Sequence, residues 1–261
     1  MPLTLWESTP GTLLGKGSGV VSILSFVSSV GVAGFHPHLF WQDDLAGLST
    51  DLSVPGLRAA YASGLYPCCE SGPQTWRAPA ERMVLFIENF HIEPAVRRRL
   101  RRREFHITFD QDFAAVVHAC TASRTDRMSP DIVEAFAAAH RAGIAHSVEI
   151  WDRSGALAGG IFGFAIGRVF FTEGCFARAR DASKVGFVAL NCHLQRWGYL
   201  MNDGKHLSGR LCQLGFLPVQ RAAFDALLAM ACTGTGQEGR WAVDQTLNLA
   251  AWNPRAMSAL H

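Results

Sequence analysis

Two groups of side chains stand out for the chemistry they could perform. The first is a run of guanidinium groups: Arg97, Arg98, Arg99, Arg101, Arg102 and Arg103 surround a single Leu100. Such clusters neutralise phosphates, with an affinity that falls steeply as salt rises. On a helix these arginines would wrap more than one face, so the run also reads as a solvated surface. The second group centres on Asp203, an acid at the carboxyl end of the short apolar run 199–202. An acid at a strand end, beside a hairpin and a packed helix, sits where a reaction cleft can form.

The elements that would position this acid precede it. Residues 156–165 are rich in β-formers, Ile166-Gly167 supplies a turn, and 168–171 returns as a second strand. Gly159, Gly160 and Gly163 lie inside the first strand, where glycine costs stability; it marks a bulge, crowded packing or a close ligand approach. Asp181 is placed to cap a helix from Ala182. Phe187, Leu190, Leu194 and Trp197 share one stripe of that helix, and Gly198 ends it. Further upstream the pattern predicts a short helix over 57–62 closed by Gly64, and strands over 83–87 and 104–109. Amphipathic helices are predicted around Phe113, Val116, Val117 and Cys120, and over 132–140. A further helix covers 224–231, followed by a Gly/Thr-rich loop, and 241–257 carries no legible pattern.

Composition bounds the rest. With 261 residues, 49% of them hydrophobic and 18% charged, the chain can bury a sizeable core in one large or two small domains. A net charge of +2 implies no nucleic acid by itself, so a basic footprint has to be local. Seven cysteines without C-x-x-C spacing fit reduced thiols in a cytoplasmic chain, and argue against a zinc site or a disulfide framework. The apolar, Ser/Gly-rich stretch 19–34 is too short for a membrane span. Residues 1–35 read as a strand or extension packed on the domain, with a signal peptide as the lesser alternative.

Several motifs in one order resemble the leucyl/phenylalanyl-tRNA–protein transferase family. They are Asp51-Leu52-Ser53, the segment from Tyr61 to Pro67 (YASGLYP), the segment from Gly143 to Trp151 (GIAHSVEIW), Gly159-Gly160-Ile161-Phe162-Gly163, the segment from Phe170 to Phe176 (FFTEGCF), Ala182-Ser183-Lys184 and Leu214-Gly215. The resemblance implies an α+β chain: a small amino-terminal α/β domain over 36–105, then an acyltransferase-like (GNAT-type) mixed sheet with helices over 106–261. It implies an aminoacyltransferase that takes its acyl group from aminoacyl-tRNA. No R-x-x-G-x-G/A loop of acyl-CoA enzymes precedes a helix. The donor ester is already activated, so no cofactor and no metal is expected.

The same resemblance assigns roles. Glu173 and Asp203 match acids that organise the attacking amine, with Lys205 as a third catalytic candidate. Ile161, Phe170, Cys175, Leu190 and Leu194 match the apolar pocket for the donor side chain. Arg97 to Arg99, Arg101 to Arg103 and Arg127 would face tRNA. The departures are specific. Lys205 stands where the family has a glutamine, and an ammonium cannot accept a hydrogen bond. Cys68 and Arg127 replace tryptophans that stack the terminal adenosine, and Cys175 replaces a methionine. Lys205 would repel a basic amino terminus. The expected acceptor is therefore altered from the family's, a small molecule of a biosynthetic pathway in the leading reading. A basic protein amino terminus, or tRNA binding without catalysis, stands as the alternative.

Overall fold

The computed structural model describes residues 45–48, 51–68, 75–122 and 128–257. The stretch 1–35 and Arg127 lie outside them. The chain runs β1 (Leu45–Leu48), α1 (Val54–Ala62), β2 (Tyr66–Pro67), β3 (Thr75–Arg77) and β4 (Glu81–Phe86). Next come α2 (Pro94–Arg101), β5 (His106–Phe109), α3 (Phe113–Ala122) and α4 (Pro130–Arg141). Then follow β6 (Ala145–Trp151), β7 (Leu157–Ile166), β8 (Val169–Ala177) and α5 (Ala182–Arg196). β9 (Met201–Asp203), α6 (Gly209–Gln213), β10 (Leu217–Gln220) and α7 (Arg221–Ala231) complete the regular elements of the described residues, apart from two short 3-10 turns there. The expected α+β class is what the chain adopts.

A seven-stranded mixed sheet has the order β10-β4-β9-β8-β7-β6-β5, and β1, β3 and β2 form a separate three-stranded sheet. Among the described residues only β8 and β9 pair in parallel, because a helical crossover, α5, joins them. β4 falls within the expected amino-terminal segment, yet it runs between β10 and β9 in the large sheet.

Strand alternation divides the core between the two faces of this sheet. Phe162, Phe164 and Val84 join one apolar cluster with α1, α3 and α4, while Ile161, Phe170, Met83 and Leu85 join another under α5. Covering both faces explains why β6 to β8 read as nearly continuous apolar runs. It also explains α5, which is buried on almost every side and carries no wide polar stripe.

Local signals account for most boundaries. Ser53 caps α1 by accepting the Gly56 amide at 3.2 Å, and Gly64 at φ 70° ends the turn behind it. One expectation fails. α5 does begin at Ala182, but Asp181 makes no capping bond and sits at φ 64°. Its carboxylate turns away to accept Arg99 Nε at 2.8 Å. A charged partner from another element outcompetes the local cap.

The stretch beyond α7, illegible in sequence, is a strap pinned by buried polar groups. Trp241 is 1% exposed, stacks on His146 at 3.8 Å, and donates its amide to Asp110 Oδ2 at 2.7 Å. The buried ring of His193 sits between its own helix and the strap. Its Nδ1 lies 2.7 Å from Ala189 O, and its Nε2 accepts the Asp244 amide at 2.9 Å. Accepting that amide requires a neutral imidazole, and burial holds the pKa below its ordinary value, against smaller opposing effects of Ala189 and Asp244.

A histidine with a depressed folded-state pKa leaves the unfolded chain binding more protons just below about pH 6.5. Its contribution is therefore complete above that pH and is lost as pH falls through the window beneath it. Thermal unfolding followed from about pH 7.5 to 5 should show declining stability below about 6.5. His193→Gln should flatten that segment of the profile; an unchanged slope would remove His193 from the account.

Candidate active site

The cleft opens where the parallel pair runs out. β9 stops at Asp203, opposite Phe171, while β8 continues from Thr172 to Ala177. At the same place the β7–β8 register slips: Phe162 faces Gly174, but Gly163 faces Thr172. Glu173 is the extra residue of a β-bulge, a device that re-aims a side chain. Gly163 permits it, since a Cβ there would lie 2.2 Å from Phe171 O. Of the three glycines in this strand, Gly163 thus marks a bulge. Gly159 and Gly160 mark crowded packing against Ala182 and Phe176.

Glu173 is received on one oxygen by two groups. Tyr61 donates its hydroxyl to Oε1 at 2.5 Å, and the Lys205 ammonium pairs with the same atom. Tyr61 is itself fixed by stacking on Phe164, with ring centroids 4.3 Å apart.

Asp203 is wholly buried and is gripped by Arg82 from β4: Nε donates to Oδ1 at 3.2 Å, and Nη2 pairs with Oδ2. Arg82 Nη1 also donates to Gly64 O at 2.7 Å, and its guanidinium lies between the rings of Tyr66 and Phe224. Asp203 Oδ1 accepts the Lys205 amide at 2.8 Å, which stabilises Lys205 at φ 66°. That left-handed turn swings the ammonium back to Glu173 and over the Tyr66 ring, 4.5 Å from its centroid. Gly204 is needed just before it, because a Cβ there would meet Leu211 at 2.5 Å.

These groups border a cavity of about 710 Å³. Its walls include Tyr66, Cys68, Arg77, Glu173, Cys175, Phe187, Lys205, His206, Arg210 and Leu211. Tyr66 Oη lies 2.7 Å from His206 Nε2, joining the two across the rim. Burial raises the Cys175 thiol pKa, and the Arg210 guanidinium opposes that rise. A second cavity, of about 730 Å³, lies between α2 and the strap, but its lining gathers no comparable convergence of acid, phenol and ammonium.

The structure brings Glu173, Lys205 and Cys175 together in the cleft, with Asp203 directly beneath. Ile161, Phe170, Leu190 and Leu194 are at most 1% exposed and lie in the core under α5 rather than on the cavity wall. Tyr61, Tyr66, Arg82, His206 and Arg210 carried no assigned role in the sequence. Tyr61 and Tyr66 lay inside one quoted motif. Only the long-range pairing reveals what they do.

The arginine run divides. Arg97 donates to Ala250 O and Trp252 O at 3.0 and 2.9 Å, holding the strap. Arg99 pairs with Glu104 and Asp181. Arg102 lies 3.7 Å from Glu104. Arg98, Arg101 and Arg103 are exposed, with no side-chain partner among the described residues. Motif residues 145–149 serve the scaffold. His146 Nδ1 meets Asp110 Oδ2 at 2.8 Å, while Ser147 and Thr108 donate to the buried Glu149 at 2.5 and 2.6 Å.

The family model for leucyl/phenylalanyl-tRNA protein transferase matches residues 84–229. A leucyl/phenylalanyl-tRNA–protein transferase of Azotobacter vinelandii is 39% identical over 195 residues, covering 73% of this chain and 86% of that protein. The enzyme of the same name from Solidesulfovibrio magneticus is 36% identical over 229 residues, covering 85% and 92%. A solved structure of L-PGS from Bacillus licheniformis overlaps 50% of this chain and 48% of its own, at 14% identity and a TM-score of 0.34. That likeness is too loose to bear on the fold. With this fold and these relatives, the chain is an aminoacyltransferase dependent on aminoacyl-tRNA. It belongs to the leucyl/phenylalanyl-tRNA–protein transferase family.

The buried pair beneath the cleft gives a direct test. Removing one partner strands a buried charge, at a cost of about 3–5 kcal/mol. Arg82→Leu should therefore lower the denaturant-derived stability by that amount, and Arg82→Leu with Asp203→Leu should recover most of it. A double variant no more stable than the single one would show that the pair is not what Arg82 contributes.

Proposed function

We propose that this enzyme moves a leucyl or phenylalanyl group from its tRNA onto the amino terminus of a protein. The observation that carries the reading is Glu173: a bulged carboxylate oriented by Tyr61 and Lys205 at the open end of β8, in a chain of this family. The relatives are named as protein transferases, which favours a protein acceptor over the small-molecule acceptor expected from Lys205 alone.

The chemistry asks little of the protein beyond position and charge. The acceptor nitrogen bonds to the aminoacyl carbonyl carbon, the bond from that carbon to the ribose oxygen breaks, and the amine's proton ends on the released oxygen. Glu173 organises the amine, and the cleft holds the ester against it. Cys175, Phe187 and Leu211 form an apolar wall suited to the donor side chain. The exposed Arg98, Arg101 and Arg103 meet donor phosphates.

Incubation with charged tRNAs and a panel of peptides, read by mass spectrometry, should show leucine or phenylalanine added at the peptide amino terminus. Use of every charged tRNA alike would reject the apolar donor site. Cys175→Met narrows that wall and should shift the balance between leucyl and phenylalanyl donors by about 1–3 kcal/mol.

The arginines separate by role. Alanine at Arg98, Arg101 and Arg103 should weaken tRNA binding and flatten its salt dependence by roughly 0.7–0.9 of slope per lost contact. Alanine at Arg97 or Arg99 should instead loosen the folded chain. A salt slope untouched by the triple change would return α2 to plain surface.

A further inference from the structure

Each acid at the cleft is already matched by a cation of the chain itself. Asp203 is sealed against Arg82 and also accepts the Lys205 amide. Glu173 Oε1 takes both the Tyr61 hydroxyl and the Lys205 ammonium. The charged residues lining the cavity are Arg77, Glu173, Lys205 and Arg210. Arg77 is engaged with Cys68, donating Nε to Sγ at 3.3 Å. Arg210 is exposed at the rim, beside Cys175. With Glu173 balanced by Lys205, Arg210 adds a positive charge at the rim, and no unmatched carboxylate stands among the described lining residues.

That balance selects by charge. Among the described lining residues, a basic side chain entering this space would meet ammonium and guanidinium, and the one acid there, Glu173, is already matched by Lys205. Burying an unmatched charge is costly, and like-charge juxtaposition is an effective way to reject a partner. An anionic side chain would be received. The Lys205 ammonium has three donors, of which Glu173 Oε1 needs one, and Arg210 adds a fork suited to carboxylate.

We propose that the acceptor begins with an acidic residue: an amino-terminal aspartate or glutamate whose side-chain carboxylate is taken by Lys205 and Arg210 while its α-amine meets Glu173. The proposal rests on the protein-acceptor reading above and names the class of terminus that it serves. Lys205 is the specificity-determining residue, because it cancels Glu173 and supplies a positive charge at once.

The test uses the full chain, leucyl- and phenylalanyl-tRNA, and peptides of one sequence that begin with Asp, Glu, Arg, Lys or Ala. Transfer is followed by mass spectrometry and tRNA binding by filter retention. The acidic peptides should be preferred over the basic ones in kcat/KM by roughly 10-fold or more, the factor that ~1.4 kcal/mol represents. Lys205→Gln uncovers Glu173, so acidic peptides should lose rate and basic peptides gain it. Arg210→Gln, on the exposed rim, should lower the acidic peptides without raising the basic ones.

Preference of the native enzyme for Arg or Lys peptides would overturn the acidic assignment and leave the protein-acceptor reading intact. No transfer to any peptide would overturn both. If Lys205→Gln and Arg210→Gln slow every peptide equally and weaken tRNA binding, the two cations serve donor phosphates and the proposal falls.

Discussion

The contact on which this structure most depends is the buried pairing of Arg82 with Asp203. It joins β4 to β9 at the point where the parallel strands part. The same guanidinium reaches back to Gly64 O and packs between Tyr66 and Phe224. Three separate stretches of chain therefore meet on one side chain. Ion pairs buried this deeply give little net stability against an apolar substitute, yet are damaging when half removed. What this one contributes is geometry: it fixes the strand end from which Gly204 and Lys205 turn into the cleft.

A second layer rests on that base. Asp203 receives the Lys205 amide, the left-handed turn directs the ammonium, and the ammonium meets Glu173 on its bulge. Tyr61 arrives from α1 to complete the arrangement. An unfavourable backbone conformation at a non-glycine residue costs about 1–3 kcal/mol and persists only where its surroundings fix it. Here they do, from both sides.

Much of this frame was legible from local sequence. The β7–β8 hairpin, the start of α5, the short α1 closed by Gly64 and the glycine-marked bulge follow from propensity, turn chemistry and strand alternation. The resemblance pointed to Glu173, Asp203 and Lys205. Contacts between distant segments were not legible. No local rule pairs Arg82 with Asp203, sends Asp181 to Arg99 instead of its helix, or puts Tyr61 on Glu173. The resemblance marked Leu190 and Leu194 as a pocket, although their helical spacing equally describes the core they join. The arginine run was legible as charge but not as two classes, because the carbonyls that bind Arg97 lie some 150 positions away, at residues 250 and 252. Likewise the strap was not legible, because Trp241 and Trp252 stand in a stretch without periodic pattern and find their partners far away in the chain.

The position of β4 bears on how such a chain comes into being. Val84 pairs with Asp203 on one side and with Leu217 on the other. A strand made early thus waits, during synthesis, for partners made after most of the chain has left the ribosome. Until residue 203 has emerged, β4 has no neighbour within the large sheet and Arg82 lacks Asp203; its other edge waits until residue 220. Pairings so distant along the chain form slowly and expose strand edges meanwhile. The cleft beside Asp203 is therefore assembled among the last parts of the molecule, and a truncated or stalled product would carry the basic helix α2 without it.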